Sequence, residues 1–157
     1  MSYIGRMLPE FQNKLLAVLP IQDRSALMPF LRPRHFARHE LLERPPSVVD
    51  SALFVEEGVV SVLSMDRPGL DVEVAMIGRE GMLSLQLLHG IHPAMLPAEC
   101  RLPGWGYEIT GDDLQAVLSV RPILRSRLER YLEWRQFRLF GFSCGKALFA
   151  RTLPRCN

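Results

Sequence analysis

The stretch MIGREGMLSL, residues 76–85, sets two glycines around an Arg-Glu pair and runs on into an apolar segment. Glycine-rich turns that carry charge often cradle phosphates, because open backbone N–H groups gather there. What this turn serves depends on its flanks. Upstream, LDVEVAMI alternates: Leu70, Val72, Val74 and Met76 fall on one face, and Asp71, Glu73 and Ala75 on the other, which is the period of a strand. Downstream, SLQLLHG has room for one or two helical turns. The order is strand, tight turn, short helix.

Farther out, SALFVEEGVVSVLSM gives two short apolar runs split by Glu56-Glu57-Gly58, which predicts a hairpin. Asp66-Arg67-Pro68-Gly69 predicts a turn before the next strand. Strands are expected again at Met95–Arg101 and Gly106–Ile109. At the N-terminal side, FQNKLLAVLP places Phe11, Leu15, Leu16 and Leu19 on one helical face closed by Pro20. IQDRSALMPFL repeats the pattern with Ile21, Leu27 and Leu31, and Pro45-Pro46-Ser47 is a loop.

The last third returns to helix. Thr110–Asp113 is a capping signal before LQAVLSV, and Pro122 suits the first position of a new helix. PILRSRLERYLEWRQFRLFGF, residues 122–142, is apolar on two sides. Leu124, Leu128, Tyr131, Leu132, Leu139 and Phe142 follow heptad-like spacing, while Ile123, Trp134, Phe137 and Phe140 fall elsewhere. Such a helix must bury both sides, one against its own domain and one against a partner. The expectation is an α+β chain: two N-terminal helices, about eight short strands in a sandwich or roll, then a long C-terminal helix.

At 157 residues, 48% hydrophobic and 23% charged, the chain has the length and composition of one ordinary globular domain. No run of 18 apolar residues predicts a membrane span, and the N-terminus lacks the pattern of a secretory signal. Cys100, Cys144 and Cys156 are scattered and odd in number, which argues against a disulfide framework and for a cytoplasmic protein. A net charge of +2 does not demand nucleic acid. Arginine outnumbers lysine heavily, and six arginines lie between Arg121 and Arg138; this clustering suits stacked or bidentate contacts and fits codon bias equally well.

NKLLAVLP, SALFVEEGVVSVLS, DVEVAMIGREGM and LLHG, in this order and spacing, resemble the sensor domain of Crp/Fnr-family bacterial transcription regulators. The resemblance covers roughly residues 11–143. It implies a cyclic-nucleotide-binding-like double-stranded β-helix, or jelly roll, that senses a small effector. It also implies a homodimer through a helix placed at 121–142, and a helix-turn-helix that reads DNA. Residues 1–143 would be the sensor domain and 144–157 a short tail without that DNA reader. On this reading Leu124, Leu128, Tyr131, Leu132, Arg135, Leu139 and Phe142 form the dimer seam.

In nucleotide-binding members a Gly-Glu pair opens the turn after the glycines, its Glu holding the ribose, and an Arg neutralises the phosphate. Those Gly-Glu positions fall here on Ser84 and Leu85, and HGIHPAMLPAEC offers no Arg before Arg101. A buried phosphate without its cation costs several kcal/mol. Each lost charge-assisted hydrogen bond removes a further ~1.5–3 kcal/mol, against only about 8 kcal/mol for micromolar binding. Binding of cyclic AMP or cyclic GMP in the usual way is therefore not expected. The pocket candidates are Gly78, Arg79, Glu80, Gly81, Ser84, Leu85, Leu87, Leu88 and Arg101. Arg79 is either a substitute anion anchor or an exposed turn residue paired with Glu80, and the exposed turn is the simpler reading. Leu85, Leu87 and Leu88 would make the pocket apolar, filled or open to an apolar effector.

Other chemistry finds little support. His89 and His92 form H-x-x-H without a clear third ligand, so no metal site is expected. Three cysteines fall short of the four an iron–sulfur sensor needs, and nothing favours haem. No G-x-S-x-G, C-x-x-C or P-loop occurs, so no enzyme, catalytic residue or cofactor is expected. The expected function is the effector-sensing and dimerisation domain of a Crp/Fnr-like regulator, unable alone to read an operator. The alternative is a stand-alone dimeric ligand- or protein-binding module that regulates a partner protein.

Overall fold

The computed structural model describes residues 9–64, 69 and 71–151; in the last helix, the side chains at 137 and 139–151 fall outside that set. Two short helices come first, α1 (Lys14–Ala17) and α2 (Ile21–Leu27), followed by a 3-10 turn at Met28–Phe30. Six strands follow: β1 (Arg32–Phe36), β2 (Leu41–Glu43), β3 (Ser51–Ser64), β4 (Val72–Ile77), β5 (Met82–Leu83) and β6 (Ala98–Thr110). A 3-10 segment, Leu85–His89, lies between β5 and β6, and helices α3 (Gly111–Val120) and α4 (Pro122–Arg151) come last among the described residues.

The sheet is antiparallel with the order β1-β6-β3-β4; β2 pairs with β6 and β5 with β3. Two strands dominate it. β3 and β6 run side by side from Ser51 opposite Thr110 to Val62 opposite Ala98, with register shifts at Val55/Glu57, Glu57/Val59 and Val59/Val60. These bulges bend the ribbon without ending it. The hairpin expected at Glu56-Glu57-Gly58 is therefore a bent, continuous strand, and the two strands expected at 95–101 and 106–109 are one. Gly58, at φ +95°, absorbs the bend that was read as a reversal. Six strands replace the expected eight among the described residues for the same reason.

A bulge also corrects the face assigned to β4. Val62 pairs with Ala75 and Leu63 with Glu73, so Val74 is the extra residue. The alternation slips there: Ile77 is buried, and Met76 stands exposed. Ile21 is likewise exposed, whereas Leu27 and Leu31 are core as expected. Asp66–Pro68 of the expected turn, and Leu70, lie outside the described residues.

Both faces of β3 are covered, which explains its apolar run. Ala52 and Phe54 point toward the helices, in a cluster with Leu16, Leu27, Leu114, Leu118, Leu124 and Leu128. Leu53 and Val55 point the other way, toward Phe36, Val60, Ile77, Leu83 and Cys100. Thr110 caps α3, its hydroxyl accepting from the Asp113 N–H at 3.1 Å, and Pro122 starts α4, both as read from the sequence. Leu124 and Leu128, which were assigned to a dimer seam, are fully buried against their own sheet. Among the described residues no helix is long and apolar enough to cross a membrane.

Candidate functional site: the turn and the pocket beside it

The glycine turn is closed by the Gly81 N–H donating to the Gly78 carbonyl at 3.1 Å. Its charges stay local. Glu80 folds back to accept from the Gly78 N–H at 2.9 Å. Arg79 is exposed, and its carbonyl accepts from the Lys14 N–H at 2.7 Å. The backbone of the turn thus holds the N-terminal helix.

Asn13 completes that grip. It is fully buried, and its Oδ1 caps α1 by accepting from the N–H groups of Leu15 and Leu16. Its Nδ2 donates to the carbonyls of Val55 and Gly81, each at 2.8 Å. The buried Glu56 carboxylate accepts the backbone N–H groups of Gln12 at 2.6 Å and Asn13 at 3.2 Å. Local sequence placed Glu56 at a hairpin tip. Its partners lie more than forty residues away, so no local pattern signals them.

On the other side of the turn, α4 reaches the same backbone. Arg135 Nη1 donates to the Met82 carbonyl at 3.0 Å. The Tyr131 hydroxyl sits so close to Gly81 that a methyl group there would fall 2.1 Å from it. Burial pushes the Tyr131 phenol above its ordinary pKa, and the Arg135 guanidinium beside it offsets part of that rise. Burial also lowers the Arg135 guanidinium, while Tyr131 and the Glu43 carboxylate hold its charge in place.

A cavity of about 380 Å³ opens between the Leu83–Gln86 stretch and α4. Val62, Leu83, Leu85, Leu96 and Leu132 form its apolar wall, with Ile91 and Met95 also lining it; both are exposed. Glu43, Ser84, Gln86 and Arg135 supply polar groups, and His89 and Gln136 are also exposed on the lining. Ser84 holds a left-handed backbone, φ +64°, that glycine adopts without steric cost. Its hydroxyl donates to Glu43 Oε1 at 2.7 Å, in a buried pair.

Of the nine pocket candidates, the cavity gathers Ser84 and Leu85. Gly78, Arg79, Glu80 and Gly81 form the turn alongside. Leu87 and Leu88 pack into the core beneath α3, where Gln115 Nε2 donates to both their carbonyls at 2.6 and 2.8 Å. Arg101 lies away from the cavity, exposed on β6, with its Nε 3.5 Å from Glu73. Glu43 and Arg135 were missed as pocket residues: β2 and α4 are distant in sequence, and each shows only an ordinary charged residue.

The proposed dimer residues divide differently. Leu124, Leu128, Tyr131 and Leu132 join or pack against the protein's own core, and Arg135 lines the cavity. The side chains of Leu139 and Phe142 lie outside the described residues. Among the described side chains of α4, Ile123 and Trp134 are instead the exposed large apolar ones, at 58% and 50%. Trp134 stacks on Tyr131 and carries the Arg138 guanidinium over its ring. His92 Nδ1 lies 3.4 Å from the Val49 carbonyl, and no cluster of three metal-ligating side chains occurs among the described residues.

No family model and no curated protein matches the sequence. Solved structures do match in shape. The N-terminal domain of a transcriptional regulator from Streptomyces coelicolor aligns at TM-score 0.62 and 18% identity, over 94% of this chain and 98% of that one. A cyclic nucleotide-binding domain from Methylobacillus flagellatus aligns at TM-score 0.63 and 14% identity, over 93% and 85%. The chain has the cyclic-nucleotide-binding fold. The same fold relates it to CLP, the c-di-GMP responsive global regulator of Xanthomonas campestris, at TM-score 0.70 and 13% identity. That match covers 80% of this chain and 63% of CLP, so the chain spans less than two thirds of that regulator's length. Within the cyclic-nucleotide-binding fold, this chain places Leu85 and a buried Glu43–Ser84 pair at the turn that follows β5.

Proposed function

We propose that this chain is the effector-sensing and dimerisation domain of a Crp/Fnr-like bacterial cytoplasmic transcription regulator, and that its effector is not a cyclic nucleotide held in the usual way. One observation carries the reading. Ser84 keeps a left-handed backbone where the resembling family has its glycine, while the next side chain, Leu85, is buried and apolar where the family's Glu would hold a ribose. The scaffold of the turn persists and its anchoring charge is gone. Glu43 beside it would repel a phosphate, and Arg135 on the same lining already donates one N–H to a backbone carbonyl.

The test is calorimetric titration of the purified chain with cyclic AMP and cyclic GMP. The expected result is no saturable heat at low micromolar ligand. Saturation there by either nucleotide overturns the proposal.

Dimerisation belongs to the other face of α4. Ile123 and Trp134 lie eleven residues apart, about three helical turns, and so share one side of α4. Replacing both with glutamate is expected to leave the helical circular dichroism unchanged and to convert a dimer into a monomer by light scattering. A double variant that still runs as a dimer rules this face out. DNA reading is assigned to the helix-turn-helix that the resemblance implies.

A further inference from the structure

Resting on the sensor reading above, we infer that the cavity under α4 takes a neutral, largely apolar small molecule carrying a hydrogen-bonding oxygen, and that the opposite charges on its wall exclude ionic ligands. At about 380 Å³ the cavity lies at the small end of the range for ligand sites. Most of its wall is apolar, and exposed Ile91 and Met95 extend that character to the surface.

The charges decide the ligand's class. Glu43 from β2 and Arg135 from α4 both line the cavity and offset each other, leaving its interior without net charge. An anion entering it meets the Glu43 carboxylate as well as Arg135, whose Nη1 already donates to Met82. A cation meets Arg135. Either way a charged ligand loses its water and gains a like charge at short range in a weakly screening site. A neutral ligand loses only apolar hydration, which favours it.

A further group on the wall asks for an oxygen. The Gln86 amide nitrogen is buried with no hydrogen-bond partner among the described residues. Turned into the cavity that its side chain lines, this amide would donate to a ligand carbonyl or hydroxyl. The lining also includes Leu132, Arg135 and Gln136 of α4, so an occupant touches the helix as well as the sheet.

The experiment titrates the 157-residue chain at pH 8 with the neutral fluorophore N-phenyl-1-naphthylamine, then displaces it with 2-decanone, decanoate or decylamine. The expected result is saturable emission, displaced by 2-decanone at concentrations about tenfold lower than by either ion. Ile91→Trp and Leu132→Trp, which add bulk to the lining from the loop before β6 and from α4, should each abolish saturable emission while retaining the circular dichroism of the parent chain. Glu43→Gln leaves Arg135 uncompensated and should move decanoate ahead of 2-decanone. No saturable emission, an equal or better effect of decanoate on the parent chain, or an unchanged ranking in the Glu43 variant overturns the inference. Cyclic-nucleotide titration stays a separate readout: micromolar binding there overturns the exclusion of cyclic nucleotides, whereas failure of the fluorophore alone overturns only the ligand class.

Discussion

Replacing Asn13 with aspartate is expected to destabilise this chain by about 3 kcal/mol, as much as replacing it with alanine, although aspartate is as good a helix N-cap as asparagine. The cap accounts for only one half of the side chain. Asn13 Nδ2 also donates to the carbonyls of Val55 and Gly81, and the Glu56 carboxylate accepts from the Asn13 N–H. Aspartate keeps the capping oxygen but aims a second oxygen at two buried carbonyls and adds negative charge beside Glu56. Alanine loses the cap, about 1 kcal/mol, and leaves the same carbonyls without their donor. Urea denaturation of the parent and both variants at neutral pH checks this. An aspartate variant within about 0.5 kcal/mol of the parent would show that Asn13 is an ordinary cap and that the clamp contributes little.

The clamp matters for the site because Gly81 and Met82 are shared. Gly81 accepts from Asn13, and the next carbonyl accepts from Arg135 on α4. The N-terminal helix, β3 and the C-terminal helix thus meet on two consecutive residues of the turn. Loosening Asn13 should therefore loosen the cavity wall as well as α1.

Gly104→Ala carries the other large effect. A Cβ at residue 104 would lie 2.0 Å from the Glu57 carbonyl oxygen and 2.4 Å from its carbon. Both are backbone atoms of the neighbouring long strand, so relief requires β3 and β6 to separate where they bend together. The expected loss is about 3 kcal/mol or more, large enough that the variant is recovered poorly or melts broadly. Gly90→Ala provides the contrast. Gly90 has φ +68° but nothing within 4 Å of a built Cβ, so its cost is the left-handed backbone alone, about 1–2 kcal/mol. Thermal melts of the two variants should differ clearly, and equal losses would show that the strand crossing is more compliant than its geometry implies.

The alternation of helix, strand and helix, the cap at Thr110, the start of α4 at Pro122 and the short helical segment after the turn are all legible in the sequence. These depend on hydrophobic period, capping chemistry and the fixed φ of proline, all of which act within a few residues. The sequence likewise puts Ser84 and Leu85 where the resemblance implies a Gly-Glu pair. Tertiary structure alone decided the rest. Glu56-Glu57-Gly58 has the composition of a turn, yet β6 pairs across it and keeps β3 extended. Leu124 and Leu128 have the spacing of a coiled-coil seam, yet the nearest apolar surface is the chain's own core. Glu43 and Arg135 come from opposite ends of the domain to line one cavity. The physical reason is common to all three. Local sequence fixes which side of an element is apolar, but pairing partners, buried charges and cavities arise from elements brought together across long separations in the chain.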